Sequence, residues 1–378
     1  MRARTIYRAA GKVYQHRRGI ALAGGFGLAA AGIGAGIAAW SLARRLLPSL
    51  DLHHRVVLIT GASRGLGLAM AQEFARQGAY LAICARDRGE LEWARQELER
   101  MGAHVLPVVC DVTSDNDVNR MVREVIDHFG RIDVLVNNAG TISVGPLEDQ
   151  RLPDYQEAMD VMFWGTVYPT LAVLPHMLAR RSGRIANITS IGGKVSVPHL
   201  VPYCCAKFAA LGFSEGLHAE LAKDGIKVAT VVPGLMRTGS FVNAYFKGDR
   251  RAEYSWFSVS ASLPVLAKDA HRAARQIVRS IRTARTEVFI TPQARLLATL
   301  NGVAPGLTAD LLAIVNRLLP RPAGAAHERR LGKDTESRVS QSLLTHFGRQ
   351  AGRDLHQYPE QRRAGETPPG TSPAVQPA

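Results

Sequence analysis

A chain of 378 residues that is 46% hydrophobic and 21% charged carries enough apolar material for one large α/β core with appendages, and is neither a disordered polyelectrolyte nor a short disulfide scaffold. Its formal charge of +15 is uneven: residues 1–48 hold eight Lys/Arg and no acid, residues 49–292 hold 28 basic against 25 acidic, and residues 293–378 hold 11 against 7. No basic face with interleaved aromatics falls on the folded part, which argues against a nucleic-acid partner, and Cys84, Cys110, Cys204 and Cys205 have neither metal-ligand nor disulfide spacing and suit a reducing compartment.

In chain order, residues 1–18 are basic and acid-free, and Gly19–Ala43 then runs 25 residues without a charge before Arg44-Arg45. That length spans a bilayer as a helix, and Gly32-x-x-x-Gly36 permits close helix packing. A membrane anchor is the reading adopted for residues 19–43; a cleaved targeting peptide and an unstructured Gly/Ala arm are its alternatives. Whether the run spans or lies in the interface stays open, but the free cysteines place the following domain on the cytoplasmic side.

Arg55–Thr60 is a continuous apolar strand, as in a parallel sheet buried on both faces. It enters Thr60-Gly61-Ala62-Ser63-Arg64-Gly65-Leu66-Gly67, and Leu66–Gln77 continues as a helix. Strand, Gly-rich loop and helix in that order form a cradle for a pyrophosphate at a positive helix N-terminus. Tyr80–Cys84 is the next strand, ending at Ala85-Arg86. An acidic residue at such a tip would accept from an adenosine 2′-hydroxyl; Ala85 offers none, Asp87 lies beyond, and Arg64 with Arg86 offers a cationic clamp, so NADP(H) is preferred over NAD(H). Helices over Arg88–Met101 and Asp117–Phe129 alternate with strands Val105–Val109 and Ile132–Val136, the latter leading into Asn137-Asn138-Ala139-Gly140. Pro153–Arg181 reads as one long helical region, Gly183–Thr189 as a strand closed by Ser190, and Ile226–Val232 as a strand followed by Pro233-Gly234.

Within a helix over Val201–Ala222, Tyr203 and Lys207 stand four apart and share a face. An ammonium near a phenol favours the phenolate, and a phenol tuned towards neutrality can exchange a proton with an alcohol or carbonyl whose oxygen Ser190 would also bond. Downstream, Gly239–Leu263 carries Phe241, Tyr245, Phe246, Tyr254, Trp256 and Phe257, read either as packing or as the wall of an apolar pocket. Asp269–Arg282 and Val288–Pro292 are a last helix and edge strand, and Arg295–Leu300 with Leu307–Leu319 are amphipathic helices that would cap the domain, pair two copies or lie on a membrane. The polar, Pro- and Gly-rich segment 321–378 reads as largely disordered.

Taken together, the Gly-rich loop, Asn137-Asn138-Ala139-Gly140, Ser190, Tyr203-x-x-x-Lys207 and Pro233-Gly234 resemble the classical short-chain dehydrogenase/reductase family over roughly Leu50–Pro292. The resemblance implies a doubly wound (Rossmann), mainly parallel seven-stranded sheet with helices on both faces. It implies Ser190, Tyr203 and Lys207 as catalytic residues. The implied cofactor contacts are Thr60, Gly61, Ser63, Arg64, Gly65, Leu66, Gly67, Arg86, Asp111, Val112, Asn138, Ala139, Gly140, Tyr203, Lys207, Pro233, Gly234 and Thr238. Asp111-Val112 would meet the adenine ring, Pro233-Gly234 would pass the nicotinamide, and Lys207 would hold the nicotinamide ribose. One position departs: Met162 stands where the family has an Asn that helps hold a proton-relay water.

The resulting expectation is a single catalytic domain over 49–292, no metal, and reversible hydride transfer between NADP(H) and the carbonyl/alcohol pair of an apolar small molecule, with homo-oligomerisation open. Two other readings stand beside it: a non-catalytic NADP-binding regulatory protein, suggested by Met162, and a membrane-tethered interaction protein acting through its tail.

Overall fold

The computed structural model describes residues 49–323 and 328–358. The basic arm, the apolar run Gly19–Ala43 and residues 359–378 lie outside the described residues.

Seven strands form the central sheet: β1 (Val56–Thr60), β2 (Tyr80–Ala85), β3 (Val105–Val109), β4 (Val134–Asn137), β5 (Gly183–Ile188), β6 (Ile226–Val232) and β7 (Glu287–Phe289). Their order is β7-β6-β5-β4-β1-β2-β3, and every pairing is parallel. The continuous apolar runs follow from this topology, because a parallel sheet wrapped by crossovers is dry on both faces; all five residues of β1 are buried. One face packs on α1 (Gly65–Arg76) and α2 (Arg88–Arg100), and the other on α3 (Asp115–Phe129) and the segment between β4 and β5.

Within that segment, the stretch 152–179 is helical throughout, as its sequence suggested, but it is not uniform. It is divided into α4 (Leu152–Met159), a π-helical turn at Asp160–Trp164 and α5 (Gly165–Ala179). The Gly165 amide bonds Asp160 O, five residues back. Gly165 also packs where a Cβ would meet Val112 Cγ2 at 2.8 Å, so the wider turn sits at a forced close approach. Although 152–179 is long and apolar enough to cross a membrane by composition, α5 buries Val173 and Met177 in the core.

Beyond β5, α6 (Val201–Leu221) returns along the sheet. It is followed after β6 by α7 (Arg250–Ser262) and α8 (Ala270–Arg282), the latter packed against α1. Helices α9 (Pro292–Val303) and α10 (Pro305–Asn316) bury little beyond Ala294 and Thr308 and leave Leu296, Val303, Leu307 and Ile314 exposed.

The expected disorder of 321–378 is corrected over 328–358. Arg330–Leu331 pairs antiparallel with Tyr245–Phe246, and α11 (His346–Asp354) packs on α7. Small residues allow this docking: Gly332 lies against Phe241, and Gly348 against Phe241 and Ser262.

Candidate active site

Because all seven strands are parallel, every loop leaving a strand C-terminus emerges on one edge, and that edge gathers the predicted residues. Thr60 ends β1 and Gly61 through Gly67 follow it, Arg86 follows β2, Asp111 and Val112 follow β3, Asn138 through Gly140 follow β4, Ser190 follows β5, and Pro233, Gly234 and Thr238 follow β6.

The Gly-rich loop is held by its neighbours' polar groups. Thr60 Oγ1 accepts from the Asn138 and Ala139 amides at 3.0 and 3.1 Å. Asn138 Nδ2 donates to Thr60 O and Gly61 O at 3.0 Å each. Gly67 lies so close to this knot that a Cβ would sit 2.1 Å from Gly61 O. Asn137 serves the sheet instead: its Nδ2 donates to Thr170 Oγ1 and Asn187 Oδ1, and Asn187 passes the chain on to Ser214 and Thr230. Buried amides need such partners, and this network is what two successive Asn at a strand end supply.

Further along the edge, Asp111 accepts from the Thr113 amide and hydroxyl at 3.0 and 2.9 Å. Pro233 O accepts the Ile191 amide at 2.7 Å, which ties the Pro-Gly turn to the Ser190 loop, and Thr238 Oγ1 accepts the Ser240 amide.

Two polar residues near the end of β2 have partners within the chain. Asp87 caps α2, its Oδ1 accepting the Glu90 amide at 2.7 Å. Arg64 is not a free half of a clamp. Its Nη1 donates to Glu90 Oε1 at 2.8 Å, and Ser63 Oγ donates to Glu90 Oε2 at 3.1 Å. Sequence reading overlooked Glu90, although Asp87-x-x-Glu90 at a helix start has the spacing of a capping box. Arg86 is exposed at the tip of β2.

At the catalytic end, Ser190, Tyr203 and Lys207 come together. Ser190 Oγ accepts the Gly192 amide at 3.0 Å and interacts with the Tyr203 phenol. Gly193 admits α6 closely: a Cβ there would stand 2.6 Å from Lys207 O. Lys207, 6% exposed, donates from Nζ to Ile188 O at 2.9 Å, with Nζ 5.9 Å from the centre of the Tyr203 ring. The expected lowering of the phenol pKa by Lys207 is not the dominant effect here. Burial pushes Tyr203 up to about 12, opposed by its hydrogen bond with Ser190, while the Lys207 ammonium donates to the Ile188 carbonyl. Burial likewise pulls Lys207 down to about 8.

Met162 lies in the π turn and is 1% exposed, packed with Ala158 and Ala206 and against Tyr203. A thioether fills the position where the resembled family has an amide. Beside it, a small cavity is lined by Thr141, Ser143, Asp154, Glu157, Tyr203 and Tyr245. Of the aromatic residues of 239–263, Tyr245 lines this cavity, whereas Phe241, Phe246, Tyr254 and Phe257 pack edge-on against one another. No cluster of three or more potential metal ligands occurs among the described residues.

Residues 55–246 match the sequence profile of the short chain dehydrogenase family. The chain is 39% identical over 197 residues to 11-beta-hydroxysteroid dehydrogenase-like 3 of Arabidopsis thaliana, covering 52% of this chain and 63% of that one, less than two thirds of the relative's length. It is 30% identical over 281 residues to Dehydrogenase/reductase SDR family member 7B of Xenopus laevis, covering 72% and 85%. Among solved structures, a variant of actinorhodin polyketide ketoreductase with NADPH is 29% identical with a TM-score of 0.58, covering 64% of this chain and 97% of that one.

Proposed function

The chain belongs to the short-chain dehydrogenase/reductase family, and on that premise we propose that it catalyses reversible hydride transfer between NADP(H) and a carbonyl/secondary-alcohol pair. The observation that carries this reading is the meeting of Ser190, Tyr203 and Lys207 at the edge where the Gly-rich loop also opens. The residues fit a dinucleotide. The N-terminal amides of α1 and the tight Gly61–Gly67 turn suit a pyrophosphate, Arg86 suits a 2′-phosphate, and Lys207 suits a ribose. When bound, the cofactor supplies or takes up the hydride.

The protein's own part is the proton. A phenol held at about 12 is protonated at neutral pH, so Tyr203 is set to donate to the oxygen of a carbonyl that Ser190 orients. Lys207 Nζ stands 5.9 Å from the ring centre. An apolar substrate skeleton is supported by the hydroxysteroid dehydrogenase name that the Arabidopsis relative carries; the packed aromatic cluster lends it nothing. Membrane association through residues 19–43, with Tyr203 on the cytoplasmic face, completes the proposal. A non-catalytic cofactor-binding role is the second reading, and the Met162 packing favours it.

Single-turnover assays of the parent with NADPH separate the two, and Tyr203→Phe then tests the proton. It keeps the ring and removes the proton, so NADPH binding should persist while turnover falls by about a hundredfold or more. Unchanged turnover would remove Tyr203 from the chemistry.

A further inference from the structure

The segment 328–358 is a strap laid across the site's edge, and its last residues reach the Gly-rich loop. After pairing with Tyr245–Phe246, it runs through α11, where Gly352 lies against Gly239 and a Cβ on Gly239 would meet Gly352 Cα at 2.3 Å. The chain turns at His356 in a left-handed conformation, φ 58°, with His356 Nε2 2.9 Å from Glu97 Oε2. Leu355, 1% exposed, joins the apolar cluster that includes Leu66 and Leu91.

Two contacts decide what this segment does. The Gly65 amide, at the first position of α1, donates to Leu355 O at 2.8 Å. On the other side, Asn243 Nδ2 donates to Gln357 O and Gln357 Oε1, both at 2.8 Å, and a Cβ on Gly65 would stand 2.6 Å from Gln357 Nε2. Residues 355–357 therefore bridge the Gly-rich loop and the loop after the Pro-Gly turn. A pyrophosphate drawn to the α1 N-terminus needs those amides free and meets a carbonyl oxygen, itself negative, already seated on one of them.

We propose that Leu355–Gln357 is a built-in competitor for the dinucleotide, so that the cofactor binds only when the end of the strap lifts from Gly65. The inference rests on the dinucleotide-binding reading above. The strap end is held by Leu355, by the buried Gln357 and by Tyr358 packed on the aromatic cluster. A short element of this kind opens locally without unfolding the domain, and apparent affinity scales with the fraction open.

The test uses the full-length chain carrying Cys205→Ser to remove the exposed thiol. Asn243→Cys with Gln357→Cys places two thiols where the side chains now touch, so that oxidation ties the strap down. NADPH and NADH are titrated separately by nucleotide fluorescence, with disulfide formation followed by thiol counting. The oxidised protein should bind both dinucleotides at least about tenfold more weakly than the same protein after reduction, and Leu355→Asp, which expels the strap end, should bind both about threefold or more tightly than the parent. Equal or tighter binding in the oxidised state, or no gain in a folded Leu355→Asp protein, would overturn the proposal while leaving dinucleotide binding intact. Failure of every form to bind either nucleotide would overturn the enzymatic reading, and this proposal with it.

Discussion

Replacing Glu90 by Gln should shift cofactor preference towards NADPH. The Glu90 carboxylate accepts from both Arg64 and Ser63, two polar groups on the loop that faces the adenosine end. The Arg64 and Glu90 side chains are 36% and 18% exposed, so the pair is solvent-screened and contributes roughly 0.5–1 kcal/mol. A 2′-phosphate must either break that pair or sit beside an uncompensated carboxylate. A charge-assisted contact from Arg64 to phosphate is worth roughly 1.5–3 kcal/mol, of which screening at this exposure leaves about 1 kcal/mol as net gain. At 1.4 kcal/mol per factor of ten, Glu90→Gln should tighten NADPH about fivefold and leave NADH within about twofold. Nucleotide-fluorescence titrations at low and high salt give the ratio directly, and the gain should shrink as salt rises. An unchanged NADPH:NADH ratio, or one moving towards NADH, would show that Arg64 does not meet the 2′-phosphate. Adding Arg64→Ala to the variant should cancel the gain, which ties the effect to the guanidinium.

Met162→Asn exchanges a 1%-exposed thioether for an amide with no established partner, a loss of about 2–4 kcal/mol that should lower Tm by about 5–15 °C in a thermal melt; an unaltered Tm would mean the site is hydrated rather than packed. Lys207, held at about 8 in the folded chain and near ~10.4 when unfolded, opposes folding fully below pH 8 and ceases to do so above ~10.4, so urea melts of the parent should gain stability over Lys207→Met as pH rises through that window. A flat difference between the two proteins would refute the buried-ammonium argument. Deleting residues 1–45 should release the chain from sedimenting vesicles, and protease added from the cytoplasmic side should reach the intact domain; an intact chain that never sediments would dismiss the anchor.

How much of this was legible in the sequence follows from which forces act locally. The strands were readable because a doubly covered parallel sheet favours continuous, mostly apolar and β-branched runs, and Val56–Thr60 or Val228–Val232 can be little else. Tyr203 and Lys207 were readable because a helical spacing of four fixes their shared face. The orientation of Lys207 Nζ was not, since it depends on the Ile188 carbonyl, which is nineteen residues away in sequence and offers a nearer acceptor than the phenol. The π turn at Asp160–Trp164 was likewise hidden, because it answers to Gly165 meeting Val112 across the structure. Composition misjudged residues 328–358. Small and polar residues usually signal disorder, yet Gly332, Gly348 and Gly352 are what let this segment lie against Phe241, Ser262 and Gly239. Leu355 supplies the apolar foothold.

The two occupants of the Gly-rich loop differ in what they oppose. Glu90 engages groups suited to a 2′-phosphate and so weighs on NADP(H) alone, whereas Leu355 O engages a backbone amide suited to the pyrophosphate that both dinucleotides share. Releasing Glu90 should therefore move the ratio of the two affinities, and releasing the strap should move both affinities with the ratio fixed. Arg64 and Gly65 are neighbours in the chain but have separate partners, one on α2 and one on the strap. If the two contacts open independently, Glu90→Gln combined with Leu355→Asp should tighten NADPH by the product of the single effects. A combined gain well short of that product would mean that lifting the strap already loosens Arg64 from Glu90, and the loop would then open as one unit rather than as two.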